Sequence, residues 1–154
     1  MSNSKCKNCN RKNVMNNKLL CHLCEKRVQS EEPELRLSDL YEKANELCMK
    51  HWEVEFKGKI EIVNRPWRAY LGMYIPSKQL IRFSRYRNLE RSNEQIINTL
   101  LHELVHWRLH QQKLPYRDTD TEFILECQRV GCSLSGTKVA QKAAQRLHVE
   151  YQSL

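Results

Sequence analysis

Residues 102–106 read His-Glu-Leu-Val-His, and these residue types at this spacing suit metal-assisted hydrolysis. On a helix, residues four positions apart lie on one face, so the imidazoles of His102 and His106 can bind one zinc ion. Glu103 lies one position further round, where it can touch a metal-bound water without displacing it. Zinc lowers the pKa of such a water to about 7, and a carboxylate can pass its proton to a leaving amine. The pattern therefore predicts a catalytic zinc site that hydrolyses peptide bonds, with Glu103 as general base.

The surrounding sequence predicts that this pattern lies on a buried helix. Residues 92–95 read Ser-Asn-Glu-Gln, which is typical of a capping box at the start of a helix. A helix that is apolar on nearly all sides is buried, and buried polar groups without partners cost about 1–3 kcal/mol each. Zinc is one partner for the two histidines; hydrogen bonds within the core are the alternative. The apolar positions are Ile96, Ile97, Leu100, Leu101, Leu104, Val105 and Leu109.

The composition indicates one core, a small appendage and a reducing compartment. A chain of 154 residues can bury one hydrophobic core and has room for little more. No apolar run reaches the about 18 residues of a membrane span, and the N-terminus has no signal-peptide pattern. Seven cysteines, four of them in two Cys-x-x-Cys pairs, argue against a secreted disulfide framework. We expect an intracellular, cytoplasmic protein and leave association with the nucleoid open.

The two pairs, Cys6 with Cys9 and Cys21 with Cys24, predict a structural zinc ribbon. Eleven residues separate the pairs, a spacing at which four thiolates can bind one zinc ion tetrahedrally. About 30 residues cannot form a hydrophobic core, so the metal would supply most of the folding free energy. Residues 1–29 carry +6 of the formal net charge of +8, which suits contact with nucleic-acid phosphates. A solvated basic face, a protein partner and a cap on the rest of the chain are the alternatives.

Between the ribbon and the histidine pattern, the sequence predicts a linker, a helix and a small antiparallel sheet. Residues 30–35 are polar, change the sign of the charge and include a proline, as linkers do. A helix is expected from Ser38 to about Lys50. Alternation over 52–56, continuing in 60–63, predicts strands, and the turn residues within 69–84 predict a β-hairpin.

Beyond the histidine pattern, a second helix is expected from about Phe123, closed by Gly131. Cys48, Cys127 and Cys132 have no metal-ligand spacing among themselves and are interpreted as structural. Residues 136–154 form a C-terminal tail that contains either a basic helix or a segment that frays in isolation.

Three segments together resemble the SprT-like metallopeptidase family, whose eukaryotic relatives are the Spartan proteases that degrade proteins crosslinked to DNA. The segments are Leu71–Tyr74, the strand ending near Ser84, and the stretch from Thr99 to Trp107. The resemblance covers residues 36–135 and implies an α+β fold with a zincin-like core: a helix, a small antiparallel sheet, the His-Glu-x-x-His helix and a following helix. It also implies one catalytic zinc, association with DNA, His102 and His106 as metal ligands, and Glu103 as general base.

The third metal ligand is where this sequence departs from that family, whose members usually have a third histidine about a dozen residues after the second. No histidine occurs here, but two histidines with one carboxylate and an open position make a competent zinc site. Asp118, twelve residues after His106, is our first choice. Asp120 is second because it also suits a helix N-cap, and Glu122 is third. If both aspartates serve only in turns and caps, the metal site is incomplete.

Two further residues near the pattern have ordinary interpretations. His110 would lie about 12 Å from His102 on a straight helix, too far for one ion, so we interpret it as a surface residue or an outer contact. Tyr116 either donates to a developing oxyanion or is a buried tyrosine with one hydrogen bond.

These observations favour a zinc metallopeptidase that acts on DNA-associated or DNA-crosslinked proteins. The alternative is a non-catalytic nucleic-acid-binding protein with two structural zinc ions; a zinc hydrolase of non-peptide amides also stays open. Glu103 favours an enzyme, because a structural site has no need of an acid beside an open coordination position.

Overall fold

Five α-helices and a three-stranded sheet make up the part of the chain that the computed structural model describes, residues 34–63, 70–89 and 91–152. The predicted four-cysteine ribbon, with most of the net positive charge, lies outside these ranges and stays a prediction. Within the described ranges, no helix is both long and apolar enough to cross a bilayer.

Helix α1 (Leu37–Trp52) begins after Arg36, whose backbone N–H donates to Asp39 Oδ2 at 2.8 Å. It ends at Glu53, which has the left-handed conformation with φ 56°. The strand predicted over 52–56 is wrong, because the helix takes up its first residue and the rest is irregular. Phe56 shows why: its backbone N–H donates to the side chain of Asn45 at 3.0 Å instead of to a neighbouring strand.

The sheet contains β1 (Lys59–Val63), β2 (Gly72–Ile75) and β3 (Leu80–Ser84), with β3 in the middle. The predicted hairpin is present, since β2 and β3 are antiparallel and joined by a 3₁₀ turn at Pro76–Lys78. However, β1 runs parallel to β3, so the prediction of a wholly antiparallel sheet is wrong. Alternation of apolar residues indicates the buried face of a strand but not its direction, and residues 64–79 are long enough for a parallel crossover.

A short helix α2 (Arg85–Asn88) leads to the central helix α3 (Asn93–Gln111), which packs against α1, β2 and the next helix. Its start is the predicted capping box: Gln95 N–H donates to Ser92 Oγ at 3.2 Å, and Ser92 N–H donates to Gln95 Oε1 at 3.1 Å. The helix is buried on most sides, as its sequence predicts. Its buried residues are Ile96, Leu100, Leu101, Glu103, Leu104, Val105, Trp107 and Leu109.

Helix α4 (Thr121–Val130) covers α3 with a buried face that includes Phe123 and Cys127. It ends at Gly131 as predicted, because φ 79° at this position favours glycine and lets its N–H donate to the Cys127 carbonyl at 3.0 Å. After it, α5 (Lys138–Gln152) packs on α4. These contacts hold the segments on either side of α4 against α3.

Candidate metal centre

The structure brings His102 and His106 of α3 together with Asp118, which lies in the segment between α3 and α4. The two Nε2 atoms lie 3.2 Å apart, and Asp118 Oδ1 lies 3.2 Å from His102 Nε2 and 3.7 Å from His106 Nε2. The three donor atoms lie within 4.8 Å of one another. Two imidazoles and a carboxylate are donors that zinc binds well, and the set leaves a coordination position for substrate or water.

Backbone carbonyls orient both imidazoles. His102 Nδ1 lies 2.8 Å from the Ser133 carbonyl oxygen, and His106 Nδ1 contacts that of Tyr116. A carbonyl can only accept, so each Nδ1 donates, and in its neutral form each ring turns the lone pair of Nε2 inward. Two facing lone pairs and a carboxylate oxygen repel one another unless a cation lies between them. Imidazoles held in this way are typical of metal sites.

Asp118 contributes an oxygen atom that needs a partner. Its Oδ1 is buried and has no partner other than the ring nitrogens of the two histidines. Buried polar atoms are normally satisfied, so an unsatisfied oxygen next to two histidine nitrogens fits a metal ligand.

Asp120, by contrast, is occupied in the turn before α4. Its Oδ2 accepts a hydrogen bond from the Arg117 backbone N–H at 2.8 Å, and its own N–H donates to the Arg117 carbonyl at 2.9 Å. Glu122 is exposed in the first turn of α4. Of the three carboxylates considered from the sequence, Asp118 is therefore the one that lies beside the histidines.

The charges of these groups follow from their surroundings. Burial lowers the pKa of His102, but contacts with Asp118 and Cys132 outweigh it and raise that pKa to about 10. Burial and the neighbouring His102 lower the pKa of His106 to about 4. Burial also opposes ionisation of Asp118, yet the two histidines hold its pKa below the usual value. Among protein groups alone, the positive charge beside Asp118 is thus a second proton on His102, which a metal ion bound there would replace.

Glu103 lies against the sheet edge, next to the metal-binding atoms. Only 5% of its surface is exposed, and the backbone N–H of Tyr74 in β2 donates to its carboxylate. Burial raises the pKa of Glu103 to about 7, although His102 and this hydrogen bond oppose the rise. A carboxyl group with a pKa near neutrality can both take and return a proton at that pH, as a general base must.

Gly72 leaves space for the side chain of Glu103, a role that the sequence alone did not indicate. A Cβ atom at Gly72 would lie 3.1 Å from Thr99 Cγ2 and 3.3 Å from both Cγ and Oε1 of Glu103. These distances are shorter than ordinary carbon contacts, so a side chain at this position would force Thr99 or Glu103 to move by a few tenths of an ångström.

We expect Gly72→Ala to displace the Glu103 carboxylate and to lower hydrolytic activity by up to about a hundredfold, since small misplacements of catalytic groups are costly. Bound zinc should stay at the wild-type level. The matched control is Gly136→Ala, which lines the same cleft but has open space around its Cβ position. Steady-state kinetics and metal analysis of both variants test this; equal activities of the two would contradict the steric argument.

An open cleft of about 670 Å³ gives access to these residues. Strand β2, helix α3, the segment before α4 and the segment after it form its walls. The side chains of the candidate centre therefore face a space that can admit an extended peptide segment. The residues that line it include Gly72, Met73, Tyr74, His102, Glu103, His106, Tyr116, Arg117, Asp118 and residues 133–137.

His110 and Tyr116 support the site from outside the group of three donors. His110 Nδ1 lies 2.7 Å from the Tyr74 hydroxyl, and its ring packs on Tyr116 with centroids 4.9 Å apart. The contribution of Tyr116 that the sequence did not reveal is its carbonyl, which holds His106. A backbone carbonyl has no signature in sequence, and neither does that of Ser133.

Cys127 and Cys132 are buried, as a structural interpretation requires, but that interpretation was incomplete. Their sulfur atoms and a ring nitrogen of His102 lie within 4.8 Å of one another. The spacing of the two cysteines did not suggest this, because the turn at Gly131 is what brings them together.

The model of the SprT-like family matches residues 37–143, which include all of α3, α4 and the sheet. The chain belongs to the SprT-like family. This confirms the resemblance found in the sequence. The match contains His102, Glu103, His106 and Asp118, so the candidate centre lies within the SprT-like domain.

Two SprT-like relatives and one solved structure show how far the similarity extends. The protein SprT-like of Oceanobacillus iheyensis is 29% identical over 85 residues, covering 55% of this chain and 56% of the relative. That of Staphylococcus saprophyticus is 31% identical over 85 residues, covering 55% of each. The matched part thus spans about half the length of these relatives. The crystal structure of the metallopeptidase zymogen of Pyrococcus abyssi abylysin is similar with a TM-score of 0.44 and 20% identity, over 76% of this chain and 96% of that one.

Proposed function

We propose that this SprT-like protein is a zinc-dependent endopeptidase with a zincin-like core. One observation carries the proposal: two inward-facing imidazole nitrogens and the unsatisfied Oδ1 of Asp118 lie within 4.8 Å of one another in an open cleft. A buried carboxylate, Glu103, lies next to them. Membership of the family supports the same assignment.

Each residue of the candidate centre has its own role in the proposed hydrolysis. His102, His106 and Asp118 would hold the zinc ion, which when bound supplies a Lewis acid that polarises the scissile carbonyl and acidifies water. Glu103 takes the proton from the attacking water and delivers it to the leaving amine. The Tyr74 backbone N–H faces the Glu103 carboxylate and favours its ionised form. The carbonyls of Ser133 and Tyr116 keep the two imidazoles in the tautomer that binds metal.

We further propose that the substrates are proteins associated with DNA or crosslinked to it. Support comes from the charge of residues 1–29, which hold +6 of the net +8, and from their two Cys-x-x-Cys pairs, which would bind a second, structural zinc. In this scheme the ribbon supplies affinity for nucleic acid and the cleft supplies catalysis.

The test is proteolysis by the full chain of an unstructured protein and of a protein crosslinked to single-stranded DNA. We expect cleavage that a chelator abolishes and added zinc restores, with preference for the crosslinked substrate. Cleavage without this preference would retain the peptidase and remove the DNA-directed role. Absence of cleavage of both substrates by zinc-loaded protein that still binds DNA would favour the non-catalytic nucleic-acid-binding protein instead.

A further inference from the structure

Two buried thiols form a second group of potential metal ligands around His102. The sulfurs of Cys127 and Cys132 and a ring nitrogen of His102 lie within 4.8 Å of one another. Cys127 is fully buried, Cys132 is 9% exposed, and neither forms a disulfide. This group shares His102 with the candidate metal centre but none of its other ligands.

The backbone fixes the positions of both thiols. Cys127 lies in the last turns of α4, and the left-handed Gly131 turns the chain so that the Cys132 N–H donates to the Cys127 carbonyl at 3.0 Å. The next residue, Ser133, is held from both sides: its N–H donates to Asn98 Oδ1 at 3.1 Å, and its carbonyl accepts from His102 Nδ1 at 2.8 Å. Backbone hydrogen bonds thus fix the positions of both thiols beside α3 before any metal binds.

The chemistry of the group suits a soft dication. Thiolate and imidazole ligands select thiophilic metals, and two cysteines with one histidine are a known zinc ligand set. Two thiolates neutralise a dication completely, so the occupied group carries no net charge. A neutral cluster avoids the large cost of placing an isolated charge in the protein interior.

We propose that His102, Cys127 and Cys132 form a second metal position, which takes a thiophilic dication such as Cd²⁺ or excess Zn²⁺ and shares His102 with the candidate centre. Use of Nε2 would remove a donor from that centre. Use of Nδ1 would break the hydrogen bond to Ser133 that orients the ring. Occupancy therefore disfavours metal at the first position, and that consequence alone rests on the proposed function.

The test is cadmium NMR of the full chain, kept reduced with a phosphine and titrated with Cd²⁺. Because each thiolate ligand moves a cadmium resonance downfield, a site with two sulfurs and a nitrogen is distinguished from the predicted four-cysteine site of residues 6–24. We expect this resonance in the wild type, in Cys48→Ser and in His106→Ala, which retain all three ligands. It should be lost in Cys127→Ser and in Cys132→Ser. Cys48 is the matched control because it is a buried cysteine outside the group.

The proposal is overturned if saturating cadmium produces no such resonance in the wild type, a result that requires no variant to fold. It is also overturned if the resonance persists in both cysteine variants whose circular dichroism matches the wild type. The measurement uses no substrate, so failure of the peptidase proposal leaves its outcome unchanged. Conversely, absence of the resonance leaves the assignment of Asp118 and His106 untouched.

Discussion

Replacement of Glu103 by glutamine is expected to lower kcat by about 10²–10⁴-fold, the usual contribution of a general base, while zinc content stays unchanged. Glutamine retains the shape of the side chain and an oxygen that can accept the hydrogen bond from the Tyr74 N–H. It has no basic oxygen with which to take a proton from water. The loss should therefore appear in the chemical step and not in folding or metal binding.

Single-turnover cleavage with metal analysis of the same samples separates these effects. The matched control is Glu122→Gln, the same substitution at an exposed position in the first turn of α4. Wild-type rates are expected for this control. A Glu103→Gln variant that cleaves at the wild-type rate would remove Glu103 from the mechanism, whereas loss of zinc would show that the carboxylate supports the metal site instead.

Asp118→Asn is expected to weaken zinc binding by more than the about 10–100-fold that loss of an outer contact costs, and to abolish cleavage at limiting zinc. The carboxylate supplies the negative charge among three donors, and its Oδ1 is the buried oxygen without a hydrogen bond. An amide oxygen is a poorer zinc ligand. Removing the charge therefore weakens the site without changing its shape.

Competition with a chromogenic chelator measures the zinc affinity. The control is Asp120→Asn, because the amide oxygen can still accept the hydrogen bond from the Arg117 N–H that Asp120 accepts. Wild-type affinity is expected for the control. The reverse result, with zinc lost from Asp120→Asn and retained by Asp118→Asn, would mean that the loop rearranges around the metal and that Asp120 is the ligand.

The ends of helices could be predicted from the sequence wherever capping residues mark them. The capping residues Ser92 and Gln95 and the closing Gly131 lie where the sequence predicts them, because each satisfies backbone groups within one turn. The two wrong predictions, the strand over 52–56 and the wholly antiparallel sheet, both depend on hydrogen bonds to residues in other elements of the chain. Phe56 bonds to Asn45, and β1 pairs in parallel with β3, and neither partner is apparent from alternation of apolar residues.

By itself, the sequence determined that His102, Glu103 and His106 lie on one buried helix. It also determined that the two histidines share a face of that helix, because residues four positions apart do so. It also determined which carboxylates were available as a third ligand. Only the tertiary structure decided that Asp118 faces the histidines, because that depends on the turn that occupies Asp120. It likewise decided that β2 approaches Glu103 at Gly72 and that two cysteines meet at His102. These are contacts between segments far apart in the chain, and such contacts depend on packing and not on local spacing.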